Sequence, residues 1–138
     1  MRLPMLLCLA LALRVEAHDA HGRSNAPAEA RRLKSPAKPS EESLAAARAQ
    51  YDKLCANCHG EDGRARTKAA GAMKIRPTDL TNYLMESMKD GEIYWVVANG
   101  IEQRMPAFGK TLEESERWAM AVCERERTCS KSSRARSR

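Results

Sequence analysis

Between Leu44 and Cys58 the apolar side chains Leu44, Ala47, Tyr51, Leu54 and Cys58 recur in steps of three and four, which lays one stripe along a helix. Ser40 stands before the stripe as an N-cap, and Glu41 and Glu42 follow where the first turn is electropositive. The pattern predicts a first helix that delivers Cys55, Cys58 and His59 at its end, stopped by Gly60 and Gly63. Residues 60–80 lose the period and are punctuated by Gly63, Gly71 and Pro77. A short helix is predicted from Asn82 to Lys89. Asp90 is placed to cap the next, with Ile93, Val96 and Val97 as its stripe and Gly100 as its end. A loop follows through Met105, Pro106 and Gly109. Thr111-Leu-Glu-Glu114 has the spacing of a capping box and predicts a last helix with Leu112, Trp118, Ala121 and Val122 on one side. No segment reads as a strand. The chain is expected to be all-α, with long connections.

The two ends lack this order. Arg2 followed by the apolar run Leu3 to Leu13, with small residues at Val15 and Ala17, has the layout of an export signal over residues 1–17. The run is about half of the roughly 20 residues a spanning helix needs, so an uncleaved anchor is the lesser reading. Residues 18–39 are rich in Ala, Pro, Ser and basic side chains and are expected to be a disordered linker. Residues 126–138 read as a basic, disordered tail, which leaves one domain over 40–125. The formal charge of +6 divides accordingly. Residues 40–123 hold 11 basic and 13 acidic side chains, so the excess sits in the flanks. With no basic stripe in the domain, nucleic-acid binding is set aside. An exported chain implies a periplasmic, oxidising setting.

Apolar burial alone in so small a helical core gives marginal stability, so something else is expected to fill its middle. The run CANCH, Cys55 to His59, is the candidate chemistry. Zinc needs four ligands, and beyond this run only Cys123, Cys129, His18 and His21 remain after removal of the signal. Thioredoxin-like pairs sit at the head of a helix in an α/β fold, whereas this pair ends a helix. Covalent haem attachment needs two thiols one helical turn apart for the two vinyl groups and a histidine directly after them for the iron, and CANCH meets that geometry. His59 then ligates one face, with its other ring nitrogen held by an acceptor. For the second face, Met73, Met85, Met88 and Met120 fall in or beside segments suited to packing. Met105 lies in the loop RMPAFG beside Pro106 and is taken as the second ligand.

Taken together, YDKLCANCHGEDG, RPTDL, GEIYWVVANGI, RMPAFG and LEESERWAMAV resemble a class I cytochrome c of the small bacterial exported type, over roughly Leu44 to Arg125. The resemblance implies helices packed around one covalently bound haem c, with the first and last helices crossing closely at Ala47. Tyr51 would pack against the last helix with Trp118 nearby. By the same resemblance, the Pro77 carbonyl is the acceptor for His59. Arg76 pairs with a haem propionate or stays solvated. Tyr94 and Trp95 wall the haem, though ordinary packing explains at least one of them. Two positions depart from the family: Cys123 stands where an aromatic is common, and Ala65 where glycine is common after GEDG. Cys123 and Cys129 are an even remainder and are expected to form a disulfide, two unpaired thiols being the alternative.

With both axial positions filled, the iron has no vacant site for a substrate. The expectation is an electron carrier and not an enzyme, passing single electrons between a donor and an acceptor protein. Rival readings are a dedicated cytochrome subunit of a dehydrogenase or oxidase complex, a haem sensor or peroxidase, and a thiol or metal module without haem. The basic tail is a candidate for transient docking.

Overall fold

The computed structural model describes residues 25–126, 128 and 129. The expected signal, the first part of the linker and most of the basic tail lie outside the described residues. Six helices follow one another: α1 (Glu41–Leu54), α2 (Ala56–His59), α3 (Lys68–Ala72), α4 (Tyr83–Ser87), α5 (Asp90–Asn99) and α6 (Glu114–Arg125). Among the described residues there is no strand; the sole bridge pairs Ile101 with Met105. No helix there is long and apolar enough to cross a membrane.

α6 is the hub and packs against both α1 and α5. Its apolar run Trp118 to Ala121 is buried together with Ala47 and Tyr51 of α1 and Ile93 and Val97 of α5. The small side chains of Ala47 and Ala121, both buried, add little bulk to this helical core. Gln50 Nε2 donates to Glu116 Oε1 at 2.6 Å across the pair. The Tyr94 ring stacks on Trp118, with centroids 4.1 Å apart and planes 14° apart. Arg117 lies over the Tyr94 ring, 5.4 Å from its centroid. Tyr94 is thereby engaged in the α5–α6 contact, the packing role that was its alternative.

Local rules explain where the ends moved from the sequence reading. Ser40 caps α1 as expected, accepting from the Ser43 N–H. Asn82 caps α4, accepting from Leu84 and Met85. Asp90 does not cap α5, because its carboxylate is paired with Arg125 of α6. Lys89 is the cap instead, and its N–H donates to Glu92 Oε2 at 2.9 Å. The last helix begins two residues later than Thr111 as a cap requires. Thr111 and Leu112 are held in a turn by the Phe108 carbonyl. The reciprocal side chain is Glu116, which accepts from the Glu113 N–H at 2.8 Å.

Cys123 and Cys129 form a disulfide. Both are fully buried and lie in the core cluster, so the returning chain fills the place where an aromatic was expected. The linker reading needs a correction. Residues Ala28–Arg32 form a 3-10 turn packed on α5, with Ala30 buried and Arg31 3.5 Å from Glu92. This strap exists because position 91 is glycine: a Cβ there would lie 2.1 Å from the Ala30 oxygen and 2.7 Å from that of Leu33. Composition showed no apolar period, and a single buried alanine leaves none to see.

Candidate haem site

α1 does not run unbroken into the CANCH run. It ends at Leu54, Cys55 adopts φ −109°, and the chain re-enters a single turn, α2. Within it Cys58 and His59 both donate backbone N–H groups to the Cys55 carbonyl, at 3.1 and 2.8 Å. Cys55 and Cys58 are therefore one turn apart, a spacing that puts two side chains on one side. Both thiols are free and half-buried.

The carbonyls leaving this turn are all engaged. Thr67 Oγ1 donates to Cys58 O at 3.4 Å, Ala65 N–H to His59 O at 2.7 Å, and the buried Tyr51 hydroxyl to Gly60 O at 2.7 Å. The turn is thus held from three sides, and Tyr51 has a role beyond packing that its place in the stripe did not reveal. Burial, followed by the charges of Glu124 and Cys55, raises the Tyr51 phenol far above its ordinary range, so it stays a donor. Ala65 reaches His59 only by adopting φ 53°, the left-handed region, which accounts for glycine being usual there.

His59 Nδ1 lies 3.1 Å from the Thr78 carbonyl. A carbonyl only accepts, so Nδ1 carries the proton and Nε2 keeps its lone pair. Burial depresses the imidazole's pKa, with the Thr78 carbonyl opposing, and the ring is held neutral. The expected acceptor, Pro77, is corrected by one residue. Pro77 serves by restricting the backbone before it. Burial first, then Glu124 and Cys58, push an unattached Cys55 thiol up to about 12.

Met105 is delivered by a tight loop at the end of α5. Gly100 has φ 69°, and a Cβ there would sit 2.4 Å from the Met105 carbonyl. Ile101 and Met105 exchange N–H to carbonyl bonds at 2.9 and 2.8 Å, and Gln103 turns the loop with φ 57°. Phe108 and Gly109 then tie the chain back to Val97 and Ala98. Met105 is half-buried and outside the core, whereas Met85 and Met120 are core residues. A groove of about 220 Å³ is lined by Met73, Lys74 and Ile75 on one side and Glu102, Gln103 and Arg104 on the other. It sets the segment leading to Thr78 against the segment leading to Met105. Arg76 is exposed beside the groove's first wall, and Trp95 is half-buried on α5.

These residues fit a haem better than a zinc ion or a redox dithiol. The two thiols have one-turn spacing, the imidazole is neutral with one nitrogen already anchored, and Met105 follows one wall of the groove whose other wall leads to Thr78. Cys123 and Cys129, bonded to each other, are not available to complete a zinc site with Cys55 and Cys58. Among the described residues no three His, Cys, Asp or Glu side chains converge as a metal site.

The sequence profile described as "Cytochrome C oxidase, cbb3-type, subunit III" matches residues 42–122, more than half of the chain. The chain belongs to this cytochrome c family. It is a mono-haem c-type cytochrome, with haem c bound covalently through its vinyl groups and iron at its centre. A cytochrome c domain supports electron transfer. No curated protein matches this cytochrome in sequence. Among solved structures it is similar in fold to a chain of the Kuenenia stuttgartiensis reducing HAO-like protein complex, with a TM-score of 0.54 and 23% identity. The match covers 75% of the cytochrome and 55% of that chain, so the cytochrome spans little more than half of its neighbour's length. At that identity the likeness speaks for the all-α cytochrome fold alone.

Proposed function

We propose that Cys55 and Cys58 carry the two thioether links and that His59 Nε2 and the Met105 sulfur hold the iron from opposite faces. When bound, the haem supplies a metal that alternates between ferric and ferrous states without exchanging ligands. The chain's own residues set the conditions. The Thr78 carbonyl orients His59, the Gly100 turn presents Met105, Arg76 is placed to meet a propionate, and Trp95 forms part of the surrounding wall. The observation that carries this reading is the CANCH turn, pinned at three successive carbonyls with its imidazole neutral and anchored at Nδ1.

The haem domain, over 40–125, acts outside the cytoplasm, exported to the periplasm by the signal at residues 1–17 and linked to a basic tail over 126–138. It passes electrons one at a time from a donor to an acceptor protein. A second form of the same chemistry is a dedicated subunit with a lasting partner. Co-purification in moderate salt separates a free shuttle from such a subunit.

The alkaline pyridine spectrum of periplasmic protein tests the attachment, with one haem that resists extraction expected per chain. Met105→Ala then keeps its colour, loses the weak long-wavelength band of the ferric form and binds carbon monoxide readily. Colourless wild-type protein sinks the reading. A Met105→Ala variant with the wild-type band removes Met105 from it.

A further inference from the structure

The turn that carries Met105 is braced from inside and joined to the helices at its two ends. The bonds between Ile101 and Met105 fix the shape of the turn, not its position against α5 and α6. Its entrance is the left-handed Gly100, whose N–H donates to Val96 O at 2.8 Å. Its exit is Phe108 and Gly109, whose N–H groups donate to Val97 O and Ala98 O at 3.0 and 2.9 Å. Those acceptors belong to the last turn of α5, where carbonyls have no partner within the helix. Arg117 of α6 closes the exit from the other side. Its Nη1 donates to the Gly109 carbonyl at 3.0 Å and to the Leu112 carbonyl, and its Nη2 donates to the Tyr94 hydroxyl of α5 at 3.2 Å. The guanidinium also lies over the Tyr94 ring, which stacks on Trp118. One side chain thus ties the Met105 loop to α5 and to the start of α6, where Leu112 is itself buried in the core. Along the sequence Arg117 falls on the polar side of the last helix, and the apolar stripe gives it no task.

We propose that Arg117 is a positioning residue for the second axial ligand, whose clamp on Gly109 keeps the Met105 sulfur at the iron and the sixth position closed to outside ligands. The inference rests on the reading of Met105 as that ligand. Arg117 acts through the loop: three residues separate Met105 from Gly109, and one of them is Pro106, which stiffens the link. Fixing Gly109 therefore restricts where the sulfur can go. A loop opens locally more often than a domain unfolds, at a cost set by the bonds that must break. Releasing Gly109 breaks a hydrogen bond from a charged donor, which is the stronger kind.

The test is imidazole binding to ferric holo-protein. A nitrogen of the added imidazole replaces the Met105 sulfur on the iron with no change of oxidation state, and loss of the weak long-wavelength band follows the exchange. Arg117→Met keeps an unbranched aliphatic stem and removes every donor. It is expected to bind imidazole roughly five- to thirtyfold faster than wild type. Arg117→Gln, too short to span the same acceptors, carries the same expectation if Arg117→Met yields no folded holo-protein. Gly91→Ala, at the other end of α5, lowers overall stability and should leave the rate as in wild type. Wild-type rates in the Arg117 variants overturn the proposal. So does an equal acceleration by Gly91→Ala, which would make ligand entry a measure of overall stability. Met105→Ala has no sulfur to displace, so adding Arg117→Met to it should change nothing further; an undiminished effect in that background places the action of Arg117 elsewhere and overturns the clamp. Wild type that binds imidazole as fast as Met105→Ala removes Met105 as ligand, and the clamp with it. Slow wild type with unmoved Arg117 variants removes the clamp alone.

Discussion

Gly91→Ala is expected to detach the strap without touching the haem site. The new Cβ would meet the Ala30 carbonyl at 2.1 Å and that of Leu33 at 2.7 Å. Both neighbours are backbone, so no rotamer change relieves the clash, and residues 28–33 must move away. The strap's own contribution is modest. Burial of the Ala30 methyl is worth about 1 kcal/mol. The Arg31–Glu92 pair, with Arg31 43% exposed, adds a few tenths at most after screening. The recovered chain entropy offsets part of this, so the net cost is at most about 1 kcal/mol. That corresponds to a fall of at most about 4–8 °C in the midpoint of thermal unfolding. The deciding experiment repeats the substitution in a chain lacking residues 28–39. There the clash is gone, and alanine's better helix propensity makes the same change neutral or stabilising by up to ~1 kcal/mol. Trypsin should also cut faster after Arg31 and Arg32 in the full-length variant. A cost of equal size in both backgrounds would refute the strap as its cause.

Three further outcomes are expected. Ala65→Gly relieves a left-handed backbone worth about 1–2 kcal/mol at the expense of about 0.5–1 kcal/mol of chain entropy, so holo-protein should gain up to ~1 kcal/mol in urea unfolding. Glu124 is buried in α6, and burial pushes its carboxyl up from 4.5 to about 8. The folded state keeps a proton that the unfolded chain has already released, so stability is fully present below about pH 4.5 and falls until about pH 8, where it levels. Glu124→Gln should flatten that slope, and a slope unchanged in the variant assigns it to another group. Replacing both Cys123 and Cys129 by alanine should cost about 2 kcal/mol, as expected for closing a short loop. Because both sulfurs are buried, alkylation of reduced wild-type protein should wait for denaturant; rapid labelling under native conditions would contradict that burial.

Much of this protein was legible along the chain because its signals are local. The 3.6-residue stripe from Leu44, the cap at Ser40, and the spacing of Cys55, Cys58 and His59 each depend on neighbours within a turn or two. Such a pattern already specifies helices, the attachment turn and, through its chemistry, the kind of group the turn can hold. The remainder depends on contacts between residues far apart, whose geometry no spacing encodes. Thr78 replaced Pro77 as the partner of His59 because the direction of a carbonyl is settled by the path of a loop. The caps of α5 and α6 moved because Asp90 was taken by Arg125 and Thr111 by Phe108. The strap was hidden because its anchor is the absence of a side chain at Gly91, and an absence carries no hydrophobic period. The groove was hidden because its two walls, 73–75 and 102–104, are some thirty residues apart, and only folding brings them together.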